Sequence, residues 1–200
     1  MASPIDFYFD FSSPYGYLAS EKIDALAARY NRAVNWRPIL LGAIFKVTNT
    51  IPLVQMPVKG NYYVRDFARS ARYMGIPFRL PEPFPIATQN AGRAFIWLEA
   101  HDPGLAREFA HACLRAYFVN NTNISEAEKL LELAAPLGID SAALGTAMNN
   151  AEIKERFRKQ NEAAIARGVC GSPYIVVDDE PFWGADRLPQ VERWLETGGF

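Results

Sequence analysis

Apolar and polar positions alternate from Ile5 to Asp10 (Ile-Asp-Phe-Tyr-Phe-Asp), the period-two signature of an aromatic-rich strand. The period then lengthens. Tyr17, Leu18, Ile23, Leu26, Ala27 and Tyr30 recur at three- and four-residue intervals, which predicts a helix over about residues 14–30. Ser13 stands where an N-cap belongs, and Pro14 suits the first helical position, where its missing N–H costs nothing. Val34–Leu40 reads as a second strand, so the chain opens β-α-β, and such a crossover favours parallel pairing.

Residues 41–60 read as a loop, with Thr48-Asn49-Thr50, Pro52, Pro57 and Gly60. Tyr63, Phe67, Ala71 and Met74 then share a helical face that ends at Gly75. Pro81, Pro83 and Pro85 predict an extended, stiff connector. From Gln89 to Gly168 the pattern is helical, in segments 88–101, 104–119, 125–136, 140–149 and 150–167. Ser125-Glu126-Ala127-Glu128 has the form of a capping box. Tyr174–Val177 is a strand, Asp178-Asp179-Glu180 a turn, Phe182-Trp183 a short partner strand, and 186–196 a last amphipathic helix. The layout is α/β: a βαβ…ββα, thioredoxin-like fold (residues 1–45 and 168–200) interrupted by an all-helical insertion domain (46–167).

Composition narrows the function classes. In 200 residues, 50% are hydrophobic and 22% charged, which excludes a disordered chain. A net charge of −1 argues against a nucleic-acid partner, which needs a basic surface. The apolar runs fall far short of the roughly 18 residues of a membrane span, and Met-Ala-Ser-Pro-Ile-Asp lacks the features of a signal peptide. Cys113 and Cys170 form neither a disulfide framework nor a metal cluster. A cytoplasmic protein without membrane or metal is the expectation. His101 and His111 lack a ligand pattern, Cys113 lies on an apolar helical face, and Cys170 reads as structural.

Three motifs in order carry a resemblance that spans essentially the whole chain. Asp6-Phe-Tyr-Phe-Asp-Phe-Ser-Ser-Pro-Tyr15, Gly171-Ser-Pro-Tyr174 and Phe182-Trp-Gly-Ala-Asp-Arg-Leu188 resemble the 2-hydroxychromene-2-carboxylate isomerases and kappa-class glutathione transferases. Both are DsbA-related thioredoxin folds with a helical insert. In such a fold the first strand delivers a reactive group to the N-terminus of the first helix, whose dipole stabilises a thiolate. Oxidoreductases carry Cys-x-x-Cys there; this chain has Ser13-Pro14-Tyr15-Gly16, so disulfide exchange at that site is impossible. A hydroxyl can still donate to a thiolate brought by glutathione. A charge-assisted bond of this kind adds ~1.5–3 kcal/mol, roughly one to two units of thiol pKa. Ser13 is the preferred hydroxyl because it precedes proline as in the family; Ser12 next to it offers the same group.

The resemblance implies further contacts with glutathione. Ser13, Pro14 and Tyr15 would lie at its sulfur, and a cis Ser172–Pro173 bond would let the Ser172 backbone pair with the cysteinyl unit. The Ala185 amide and the Asp186 carboxylate would hold the γ-glutamyl end; Ala185 stands where kappa enzymes have serine. Asp186 read alone is a helix cap. Asn49 matches a loop asparagine of relatives. Residues 41–80 hold six cations against Asp66 alone, and of these Lys46 and Lys59 are the best candidates for carboxylates, while Arg65, Arg69 and Arg72 share one helical face that reads as solvated.

The implied activity is a glutathione-dependent cis–trans isomerase of aromatic-hydrocarbon catabolism. It would convert 2-hydroxychromene-2-carboxylate, or a similar aromatic carboxylate, to trans-o-hydroxybenzylidenepyruvate through a transient glutathione adduct. The alternatives are a kappa-like transferase or peroxidase acting on hydrophobic electrophiles, and a non-catalytic thioredoxin-fold binding protein. A homodimer is expected from the resemblance.

Overall fold

A computed structural model describes residues 3–200. Strand β1 (Ile5–Phe9) leads through a tight turn into α1 (Pro14–Arg29) and β2 (Val34–Pro38), and β1 and β2 pair in parallel. After the helical segments, β3 (Tyr174–Val177) and β4 (Glu180–Trp183) form a hairpin whose first strand pairs antiparallel with β1. The sheet order is β2-β1-β3-β4, so β1 and β3 are central. That position explains their composition: both faces are covered, and β3 is buried throughout.

The alternation of β1 sorts its side chains between two cores. Ile5, Phe7 and Phe9 enter the main core with Phe95, Phe109 and Tyr117, while Tyr8 joins Ile39, Ile44, Tyr174 and Val176 on the opposite face. Phe9 is the hinge of the aromatic packing. Its ring stacks on Phe7 at 5.5 Å and meets Phe11, Trp36 and Phe95 edge-on at 5.0, 5.1 and 5.9 Å. Thus the sheet and the helical segments share apolar contacts.

Those helices are α2 (Leu41–Thr48), α3 (Gly60–Met74), α4 (Gln89–Glu99), α5 (Pro103–Phe118), α6 (Ala127–Ala134), α7 (Ser141–Asn149) and α8 (Ala151–Ala166), with α9 (Leu188–Thr197) closing the chain. The reading of 41–60 as a loop is corrected: it contains α2 and a 3-10 turn at Leu53–Gln55. Leu40 at the N-cap makes no side-chain bond, so no local signal marks where α2 begins. The Asp10 carboxylate supplies the acceptor instead, taking the Leu41 N–H at 2.7 Å. The capping box at Ser125 is also corrected. Glu126 is the N-cap of α6 without a side-chain bond, and Asn123 Oδ1 takes the Ser125 N–H and hydroxyl at 3.2 and 2.7 Å. The proline connector holds two cis bonds, Glu82–Pro83 and Phe84–Pro85, and the last helix is preceded by a 3-10 turn at Ala185–Arg187.

Phe95 is 1% exposed and touches the strand from α4. Phe95→Ala should cost about 3–5 kcal/mol, read in urea denaturation by near- and far-ultraviolet dichroism. One common, lowered midpoint is expected; two separated transitions would show that sheet and helices do not share a core.

Candidate active site

The chain leaves β1 at Phe9 and turns immediately, with the Asp10 carbonyl accepting the Ser13 N–H at 2.9 Å. This turn puts Ser13 at the head of α1. Its extended backbone (φ −96°, ψ 114°) and side chain make it the N-cap: Oγ accepts the Gly16 N–H at 3.0 Å. The same hydroxyl donates to the Ser172 carbonyl at 2.9 Å, so the helix head is joined to the loop before β3. The Ser172–Pro173 bond is cis. Ser172 Oγ in turn accepts the Asp10 N–H at 2.9 Å. Gly16 is required by this closeness, because a Cβ there would lie 2.6 Å from Ser172 Oγ.

Asp10 underlies the whole arrangement. It is 3% exposed, and its carboxylate accepts the Ser12 N–H at 2.8 Å, the Leu41 N–H at 2.7 Å and the Thr88 hydroxyl at 3.0 Å. Burial pushes the carboxyl above the usual carboxylate range, a rise that these three bonds lessen. Every partner is a donor, which suits the ionised, acceptor-only form. Neither Asp10 nor Thr88 entered the sequence reading as a site residue. The available signal was an acid set among the aromatic residues Phe7, Tyr8, Phe9 and Phe11, since a buried acid needs partners.

Above this floor opens a cleft of about 1750 Å³. It is larger than the roughly 300–1,000 Å³ of a pocket for one small ligand. Asp10, Ser12, Ser13 and Ser172 line its polar end; Phe45, Leu53, Val54, Met56, Phe67 and Ile86 are among its apolar walls. Lys22, Arg29, Lys46 and Arg187 bring cations to it. Arg29 is paired with Glu192 at 2.7 Å, whereas Lys22 and Lys46 have no carboxylate partner among the described residues.

The structure brings Ser13, Pro14, Tyr15, Ser172, Ala185 and Asp186 to this cleft. Pro173 is buried behind Ser172. Ala185 is buried at the 3-10 turn, and the Asp186 carboxylate is exposed, 3.5 Å from Arg187. The Tyr15 ring packs edge-on against Phe67 at 5.0 Å, and its hydroxyl donates to Asp66, which Arg69 also holds. Burial and the Asp66 charge push the Tyr15 hydroxyl pKa up, so it remains a donor.

Asn49 and Lys59 are not brought in. Asn49 is the exposed left-handed C-cap of α2 (φ 53°), and it is the neighbours Thr48 and Thr50 that line the cleft. Lys59 is exposed at the N-cap of α3, outside the cleft walls; of the two lysines only Lys46 reaches them. Ser12 lies on the wall, but its Oγ accepts the Ile86 N–H at 3.1 Å and so anchors the segment before α4. Cys170 lines the cleft, and Cys113 is wholly buried. His111 lies between Glu21 and Asp24, at 3.5 and 3.8 Å, on the seam of α1 and α5.

Residues 4–196 match the DSBA-like thioredoxin domain. A 2-hydroxychromene-2-carboxylate isomerase of Sphingobium xenophagum is 31% identical over 98% of this chain and 99% of its own length. Glutathione S-transferase kappa 2 of Caenorhabditis elegans is 27% identical over 96% of this chain and 91% of its own length. Among solved structures, a 2-hydroxychromene-2-carboxylate isomerase superimposes with a TM-score of 0.84 at 29% identity, covering 96% of this chain and 94% of that one.

The Asp10 network makes a stability prediction. Thr88→Val keeps the side-chain shape but removes one of three donors to a buried charge. It should lower unfolding stability by about 1.5–3 kcal/mol, measured by denaturant titration. An unchanged midpoint would mean that the carboxylate does not rely on Thr88.

Proposed function

The chain belongs to the DSBA-like thioredoxin domain family, in the group of the 2-hydroxychromene-2-carboxylate isomerases and kappa-class glutathione transferases, and we propose that it is a glutathione-dependent cis–trans isomerase. The substrate in this reading is 2-hydroxychromene-2-carboxylate or a similar aromatic carboxylate, and the product trans-o-hydroxybenzylidenepyruvate or its counterpart. The observation that carries the reading is the Ser13 hydroxyl at the head of α1, on the wall of a cleft with space for two molecules.

The residues present fit glutathione. Negative charge at the sulfur is favoured by the α1 N-terminus, through its dipole and the Tyr15 N–H, since Pro14 has no N–H and Gly16 gives its own to Ser13. Ser13 donates to that charge by turning its proton away from the Ser172 carbonyl, which then becomes available to a peptide N–H. Asp186 offers a carboxylate to an ammonium, and Lys46 an ammonium to a carboxylate. When bound, glutathione supplies a thiolate that adds reversibly to an unsaturated carbon, so that the bond can rotate before the sulfur leaves. The apolar walls exclude water and hold a planar aromatic substrate against the polar end. A reduced thiol pool makes the cytoplasm the natural setting, and a homodimer belongs to the same reading.

The second reading is a kappa-like transferase, favoured by the 27% identity to a kappa enzyme and sharing the same polar end of the cleft. Accounting for total glutathione during turnover separates the two. A constant pool is expected; a stoichiometric fall would establish conjugation instead.

Ser13→Ala should leave the protein folded, with about 1 kcal/mol lost at the helix cap, and should reduce turnover about 10- to 100-fold, from the loss of a charge-assisted bond. Steady-state kinetics beside thermal melting checks this. Wild-type turnover would show that another group activates the thiol.

A further inference from the structure

Ser172 enters the reading above only through its backbone; its side chain has a job of its own. The hydroxyl oxygen accepts the Asp10 N–H at 2.9 Å, which uses a lone pair and leaves its proton without an acceptor among the described residues. The residue is 9% exposed and stands on the cleft wall. A donor so enclosed normally has a partner. Its position is set by Gly16: the point that a Cβ would take there lies 2.6 Å from Ser172 Oγ and 3.2 Å from Ser13 Oγ. Both hydroxyls therefore lie close against Gly16 in the first turn of α1.

Their protons are not in the same state. The Ser13 proton is given to the Ser172 carbonyl at 2.9 Å and must leave it to reach a ligand. The Ser172 proton has no bond to give up. A thiolate accepts more than one hydrogen bond, and donors in a desolvated setting gain strength.

Resting on the glutathione reading of this cleft, we propose that the Ser172 hydroxyl is a second donor to the glutathione sulfur, acting beside Ser13. It is then a catalytic residue, because it touches the reacting atom. A purely structural Ser172, tying down the Asp10 N–H and nothing more, would affect folding stability and leave the acidity of the bound thiol alone.

The test is a pH titration of the ultraviolet absorbance of the thiolate in glutathione complexes of wild type, Ser13→Ala, Ser172→Ala and Ser172→Thr. Ser172→Ala should raise the apparent pKa of the bound thiol by about one unit, roughly a tenfold loss of thiolate at any pH below it. Ser172→Thr keeps the hydroxyl and should titrate close to wild type. A wild-type titration in Ser172→Ala, with Ser13→Ala shifted, overturns this proposal while the glutathione reading stands. Equal shifts in Ser172→Ala and Ser172→Thr overturn it as well, since the hydroxyl would then not be the cause. Wild type that binds no glutathione overturns both. A crystal structure of the wild-type complex decides independently of any variant: sulfur in contact with both hydroxyls is expected, and sulfur on Ser13 alone overturns the proposal.

Discussion

A buried carboxylate holds this site together. Asp10 accepts bonds from the turn that follows β1, from the first residue of α2 and from Thr88 just before α4, while its own N–H reaches Ser172 on the far side of the cleft floor. These partners come from four separate stretches of chain. The cost of burying the charge is offset only if all of them arrive together, so the interaction is cooperative. The heads of α1, α2 and α4 consequently meet at one place. The donors that this convergence brings together are taken up by the Asp10 carboxylate itself.

The chemistry available there is that of a thioredoxin scaffold without its sulfur. Serine and glycine occupy the positions at which redox relatives carry cysteines, and Gly16 is so crowded that a Cβ would press on Ser172. A hydroxyl at the helix head cannot form or exchange a disulfide, yet it is an effective donor. In the function proposed here the head of α1 stabilises a thiolate that comes from another molecule. In that reading the cleft takes two molecules side by side, and its volume is about 1750 Å³.

The walls of that cleft belong to different parts of the chain, and their relative placement depends on packing as well as polar contacts. Phe9 and Phe95 join the sheet to α4, and Tyr15 extends from the head of α1 to Phe67 and Asp66 on α3. Tyr15 is therefore engaged in two ways, by ring and by hydroxyl. Its position next to the helix cap couples the geometry of the polar end to that of the apolar wall.

The one-dimensional pattern determined what depends on near neighbours. Period-two and three-to-four-residue spacing gave β1, α1 and α3, the apolar run Tyr174–Val177 gave β3, and the Ser13-Pro14 pair gave a helix start, because each is written in residues a few positions apart. The order of three motifs gave the family and the two serines. The pattern failed wherever the deciding partner was distant. Helix α2 carries no local start signal because the group that caps it, Asp10, lies 31 positions before Leu41. The expected capping box at Ser125 yielded to Asn123, whose side chain competes for the same donors. Which of Asn49, Lys46 and Lys59 faces the cleft is likewise decided by where folding places α2 and the start of α3 around it. The roles of Asp10, Thr88 and the Ser172 hydroxyl emerge only in three dimensions, since the value of a buried polar group depends on the donors and acceptors that folding brings within reach of it.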